Sequence, residues 1–142
     1  MSQRLAIAAF LLAAMAVVAA GCSPRSGGGP RATPTAGATV VVDAPIESID
    51  ILVRESFPPG YTAHIVSGLP SGCAKFNMAA VVERTGNHIA VKVTNTMPAD
   101  SHTACTAIYG YKESNVDLGT NFTSGQTYTV DVNDKSKSFT AQ

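Results

Sequence analysis

Hydrophobic and polar positions divide the chain into three stretches. An unbroken apolar run, Leu5–Ala20 (LAIAAFLLAAMAVVAA), comes first, and Ser23–Ala38 (SPRSGGGPRATPTAGA) then holds no apolar residue larger than alanine. From Thr39 onward apolar and polar residues alternate with a period of two, which puts successive side chains on opposite faces of a strand. Val40–Asp43 is a short β-branched run. Ile49, Ile51 and Val53 alternate with Asp50, Leu52 and Arg54, and Tyr61, Ala63 and Ile65 with Thr62, His64 and Val66. Phe76, Met78, Ala80 and Val82 lead through Thr85-Gly86-Asn87 into Ile89, Val91 and Val93, the pattern of a hairpin with a glycine-containing turn. Ala104–Tyr111 predicts a further strand and Val116–Leu118 a short one. Tyr128, Val130 and Val132 then turn at Asn133-Asp134 into Ser138–Ala141. The sum is about eight strands.

Beyond Cys22 no stretch carries apolar residues at three and four spacing over a helix length, so helix is not expected in the folded part. Turn signals recur at Pro58-Pro59-Gly60, Leu69-Pro70-Ser71-Gly72, Met97-Pro98-Ala99-Asp100 and Ser124-Gly125. Short strands between such turns predict an all-β fold, a single antiparallel β-sandwich of immunoglobulin-like architecture. The chain has no tryptophan, so that description covers the two-sheet arrangement and not the tryptophan-centred core of antibody domains.

The opening run changes the picture of where the fold works. Arg4, the apolar run and the small residues after it have the three zones of a secretory signal peptide, and the run is short for a membrane span. Its end, Ala19-Ala20-Gly21-Cys22, resembles the lipobox of bacterial lipoproteins. In that family the cysteine is acylated and becomes the new amino terminus, which implies lipidation at Cys22. Family members more often carry leucine where Ala19 stands. Simple secretion after cleavage at Ala20 and an uncleaved anchor are the alternatives. Several acyl chains hold a small protein to a membrane where one would let go, because each buried methylene adds about 0.8 kcal/mol.

The expected organisation is therefore a signal peptide over 1–21, a Gly/Pro/Ser tether over 22–38 and a β-sandwich over 39–142. The tether composition cannot repay the entropy of ordering, so disorder is expected there, with a span of about 22 Å for a flexible coil. The resemblance implies a bacterial cell envelope location, lipid-anchored on the extracytoplasmic side.

Charge narrows the partners. The 142 residues carry ten basic and ten acidic side chains, and loss of Met1–Gly21 removes Arg4 alone, leaving a net charge of −1. No nucleic-acid footprint is present, and the expected partners are the membrane, through the lipid, and another envelope protein. Once Cys22 is assigned to lipid, Cys73 and Cys105 remain as an even pair in an exported chain, which predicts a disulfide. A thiolate metal site or a nucleophilic cysteine is the competing reading, without a Cys-x-x-Cys spacing to support it.

The folded part also resembles a loose group of small secreted bacterial proteins. The resemblance is carried by Glu55-Ser56-Phe57-Pro58, by Ser67–Cys73 (SGLPSGC), by Pro98-Ala99-Asp100 with Cys105, and by Tyr128–Asn133 (YTVDVN). It implies the fold and the disulfide and brings no activity.

Catalytic signatures are missing: there is no Gly-x-Ser-x-Gly, no phosphate-binding glycine loop and no His-Glu-x-x-His. The chain is read as a non-enzyme with no cofactor. Asp43, Glu47, Asp50 and Glu55 are expected on a solvated face. Adjacent Asp100, Ser101 and His102 cannot readily point at one another as a triad requires. A copper-type metal site is an alternative, with Met97 and His102 as the weak candidate ligands on one loop. Met78 is expected in the core, His64 and His88 on polar faces, and Asp131, Asn133 and Asp134 in a turn rather than a calcium loop. Leu69, Pro70, Ser71 and Asp100 are the partner-binding candidates, on two loops that the disulfide would brace. The expected function is a non-catalytic binding or envelope-assembly role. A small-ligand or metal binder is the alternative, and a protease inhibitor offering Leu69, or an enzyme, stands third.

Overall fold

The computed structural model describes Gly37–Gln142. The expected signal peptide, Cys22 and all of the tether except Gly37 and Ala38 lie outside the described residues. Eight strands follow in order: β1 (Thr39–Asp43), β2 (Ile46–Arg54), β3 (Gly60–Leu69), β4 (Lys75–Thr85), β5 (His88–Pro98), β6 (Gly110–Gly119), β7 (Thr127–Val132) and β8 (Lys135–Thr140). No helix occurs among the described residues. One sheet has five strands, β1, β4, β5, β7 and β8, and the other three, with β3 between β2 and β6.

The two layers bury the alternating residues that the pattern singles out. Tyr61, Ala63 and Ile65 of β3 face Ile89, Val91 and Val93 of β5 and Val130 and Val132 of β7 in one continuous core. Each fully buried valine or isoleucine contributes about 1.5–3 kcal/mol relative to exposure. At the start of β3 the core ends in an aromatic cluster: Phe122 meets Tyr61 and Tyr128 edge-on at 4.8 and 4.9 Å, and Phe139 packs beside them. Both phenols are satisfied, Tyr61 Oη accepting from Gln142 N–H at 2.7 Å and Tyr128 Oη from Thr123 N–H at 3.0 Å.

The expected hairpin is present, with Thr85 opposite His88 and a Gly86-Asn87 loop in which Gly86 takes φ 57°. A positive φ at the first loop position alone is the type II′ pattern, whose twist matches that of the flanking strands. On the first strand of this hairpin, however, the alternation is out of phase with the expectation. Register shifts between Phe76 and Met78 and between Val81 and Glu83 mark bulges, and Ala79 and Val81 face the core instead of Met78 and Val82. Met78 is 39% and Val82 58% exposed, so Met78 is not core filler. One extra residue flips every later side chain to the other face.

Two further departures come from pairing. Residues 104–109 are irregular, and a single strand, β6, runs from Gly110 through the polar stretch to Gly119, antiparallel to β3. The expected strands at Ala104–Tyr111 and Val116–Leu118 are thus one element that begins later. One pair, β5 with β7, is parallel, matching His88–Val91 to Thr129–Val132, whereas the other pairs are antiparallel. β7 arrives by a crossover from the other sheet, so no hairpin dictates its direction.

β5 has an unusual neighbourhood. β4 covers one of its edges from His88 to Thr96, so β1 and β7 share the other, β1 along Thr94–Pro98 and β7 along His88–Val91. Asn133 fills the break between them. Its Nδ2 donates to Val93 O and to Ala44 O, each at 2.8 Å, and its Oδ1 accepts from Val93 N–H at 3.1 Å. The side-chain amide thereby stands in for a missing piece of strand.

Candidate functional site

The end of the sandwich where β3 finishes carries most of the residues singled out from the sequence. Cys73 and Cys105 are disulfide-bonded, with Cα atoms 5.4 Å apart. The bond ties the turn after β3 to the irregular segment before β6, and Gly72 N–H donates to Thr106 O at 3.0 Å beside it. A methyl group on Gly72 would lie 2.0 Å from Thr106 Oγ1, so any larger residue there would have to push the Thr106 side chain aside.

Leu69 is the last residue of β3, half-buried and paired with Gly110. It is a strand residue rather than the tip of a loop. Pro70 is exposed, and Ser71 begins the turn that Ala74 N–H closes on its carbonyl at 3.0 Å.

Asp100 organises its own loop. Its Oδ1 accepts from His102 N–H at 2.9 Å, and its carbonyl accepts from Thr103 N–H at 3.2 Å. Met97 is half-buried opposite Val40, and His102 is exposed. The other two histidines are held elsewhere: His64 Nδ1 lies 3.0 Å from Asn115 Oδ1 on the three-stranded sheet, and His88 Nδ1 lies 3.5 Å from Asp131 on the five-stranded one. Among the described residues no three His, Cys, Asp or Glu side chains stand together in a metal-binding group. The early carboxylates likewise go to separate partners: Asp43 to Lys92 at 2.7 Å, Glu47 to Tyr109, and Asp50 to Lys137 at 4.0 Å.

The disulfide does bring parts of the two expected loops together. Gly72 and Cys73 from one, and Asp100 and Thr103 from the other, line a cleft of about 460 Å³ with Lys75 and Thr39. Leu69 and Pro70 are not among the residues that line it.

On the other side of the disulfide lies a surface that the sequence reading did not select. Tyr109 lies across Gly68, where a methyl group would sit 1.9 Å from its Oη, and it donates that hydroxyl hydrogen to Glu47 Oε1 at 2.5 Å. The hydrogen bond to the Glu47 carboxylate, reinforced by desolvation and the carboxylate charge, pushes the Tyr109 phenol up to about 12. Tyr111 meets Tyr109 edge-on, with ring centroids 5.5 Å apart. Ile108 and Tyr111 are each 67% exposed. Gly68 is itself fixed from beneath, its N–H donating to Pro45 O at 2.8 Å and its carbonyl accepting from Asn95 Nδ2 at 2.9 Å. The one signal for this surface in the sequence is the pair of tyrosines flanking Gly110 shortly after Cys105.

Residues 63–141 match the model of a family described as the ORF11 beta-sandwich domain. The chain belongs to this family. The matched stretch of the ORF11 beta-sandwich domain runs from within β3 to just past β8 and contains both cysteines of the disulfide, Leu69 and the two tyrosines. Glu47, which holds Tyr109, lies before it. No curated protein and no solved structure matches the chain.

Proposed function

We propose that the chain is a lipoprotein anchored through Cys22 on the extracytoplasmic side of a bacterial cell envelope, where its β-sandwich binds a protein partner without catalysis. The observation that carries the binding role is the exposed Ile108, Tyr109 and Tyr111 edge, braced by the Cys73–Cys105 disulfide and by the Glu47 hydrogen bond. Aromatic side chains suit such a role, because they bring large contact area with few rotatable bonds, and bracing lowers the ordering cost on association. The anchor rests on the Ala19–Cys22 sequence, and a disulfide fits an oxidising compartment.

The binding role is tested with a photo-crosslinking residue at Tyr111, compared with one at the exposed Leu52 on β2, the opposite edge of the same sheet, in intact cells. A discrete adduct from position 111 alone is expected, and equal labelling from both positions would refute the assignment. The anchor is tested by Cys22→Ser, which should move the protein out of the membrane fraction; unchanged fractionation would contradict lipidation. A second reading, small-ligand binding, is favoured by the cleft of about 460 Å³, which falls in the size range of small-molecule sites. Its test is a thermal-shift screen of the oxidised protein, since a ligand at 100 times its Kd adds about 2.7 kcal/mol.

A further inference from the structure

From the outer edge of β1 we infer that two copies of this chain associate by antiparallel β1–β1 pairing, making one sheet continuous through both molecules. Ala38 O accepts from Ala99 N–H at 2.8 Å and Ala44 N–H donates to Val93 O at 3.0 Å, so the even-numbered residues of this segment turn their backbone groups toward β5. With a period of two, the N–H and C=O groups of Thr39, Val41 and Asp43 point outward. Among the described residues no strand pairs with that edge.

The other free edges carry lysines or bulges and this one does not. β8 carries Lys135 and Lys137, β4 has its two bulges with Glu83 and Arg84, β2 has a register shift between Ile46 and Ser48, and β6 carries Lys112 and Glu113. Lysines and bulges are the usual protection against strand addition. β1 is Thr-Val-Val-Val-Asp, without lysine, proline or bulge, and all five of its residues are exposed, Val41 by 61%.

The edge is complementary to itself. A two-fold axis at Val41 sets Val41 opposite its own copy and Thr39 opposite Asp43, so the three outward residues of each chain exchange about six hydrogen bonds. On the other face Val40 comes opposite Val42 of the second copy, so valine meets valine at the three central positions. The two Asp43 carboxylates end up about 14 Å apart, beyond the screening length of physiological salt, and each is already paired with its own Lys92. A second copy therefore meets no like-charge contact. So small a contact gives a weak dimer. The inference rests on β1 alone and is independent of the lipid anchor and of the tyrosine edge.

Single cysteines introduced into the full chain, in a Cys22→Ser background, test the register. In the dimer the Cα atoms at position 41 are about 5.5 Å apart, within disulfide reach, whereas those at position 39 are about 14 Å apart. Mild oxidation should therefore crosslink Val41→Cys into a homodimer and leave Thr39→Cys monomeric. Val41→Pro removes an outward N–H and leaves the bonds to β5 intact, so in sedimentation velocity it should weaken association at least tenfold with the thermal midpoint retained. Equal crosslinking at positions 39 and 41, a Val41→Cys protein that stays monomeric because residues 1–36 cover the edge, or coupling of Val41→Cys to a different protein would each overturn the proposal.

Discussion

Asn133 closes the seam between β1 and β7, and replacing it measures how much of the sandwich depends on that seam. The side chain makes three hydrogen bonds, two of them to Val93, which is fully buried. Asn133 also sits at φ 51°, in the left-handed region that asparagine tolerates better than alanine. In Asn133→Ala the Val93 N–H is left unpaired away from water, a cost of about 1–3 kcal/mol. Two lost bonds from Nδ2 add about 1 kcal/mol each, and the backbone conformation adds roughly 1 kcal/mol more. The expected loss is about 4–6 kcal/mol, a large share of the 5–15 kcal/mol typical of a small domain. Asn133→Gly keeps the backbone conformation and loses only the bonds, so it should recover about 1 kcal/mol of that loss. Asn133→Asp keeps the acceptor but turns a carboxylate toward two carbonyl oxygens, and it should be no more stable than the glycine variant. Urea denaturation of the oxidised protein reads all three, with the slope unchanged if only the native state is affected. A loss below about 1 kcal/mol in Asn133→Ala would refute the bridging role.

Gly68→Ala should drive the Tyr109 ring off β3 and destabilise the fold by about 1–3 kcal/mol, with fluorescence and thermal unfolding as the readouts. The Tyr109 phenol, held at about 12 by Glu47, should titrate near the ordinary value of about 10 in Glu47→Gln, as read by ultraviolet difference absorbance against Tyr109→Phe. Because the folded value is the raised one, its stabilising effect is complete below about pH 10 and fades as pH climbs through about 12, and Tyr109→Phe should remove that dependence. Reducing the disulfide should cost about 3.7 kcal/mol for a closed loop of this length, and thiol labelling of Cys73 or Cys105 without reductant would contradict the bond.

Much of the fold is legible along the chain because alternation is a local property. Tyr61, Ala63 and Ile65, and again Ile89, Val91 and Val93, declare both the strand and its buried face. Gly86 marks the hairpin, and the even cysteine pair marks the disulfide. β6 is less legible, because Tyr111–Asn115 presents polar side chains on a solvent-exposed edge strand and so breaks the pattern that announces a buried face. In the candidate site, the meeting of the two cysteine-braced loops is visible from Cys73 and Cys105. The contacts of Glu47 are not, since Tyr109 is 62 positions away in the chain.

What the sequence by itself determined is therefore the class of structure: a period of two with no helical spacing yields only strands, and strands with one apolar face must stack into two layers. Tertiary structure alone decided where the phase slips in β4, that β1 and β7 divide one edge of β5 with Asn133 between them, that Tyr109 rests on Gly68, and which edge is left unguarded. Each of these depends on a pairing partner far along the chain. Hydrogen-bonding groups and side-chain volume are satisfied against that partner rather than against sequence neighbours, so the local pattern holds no record of them.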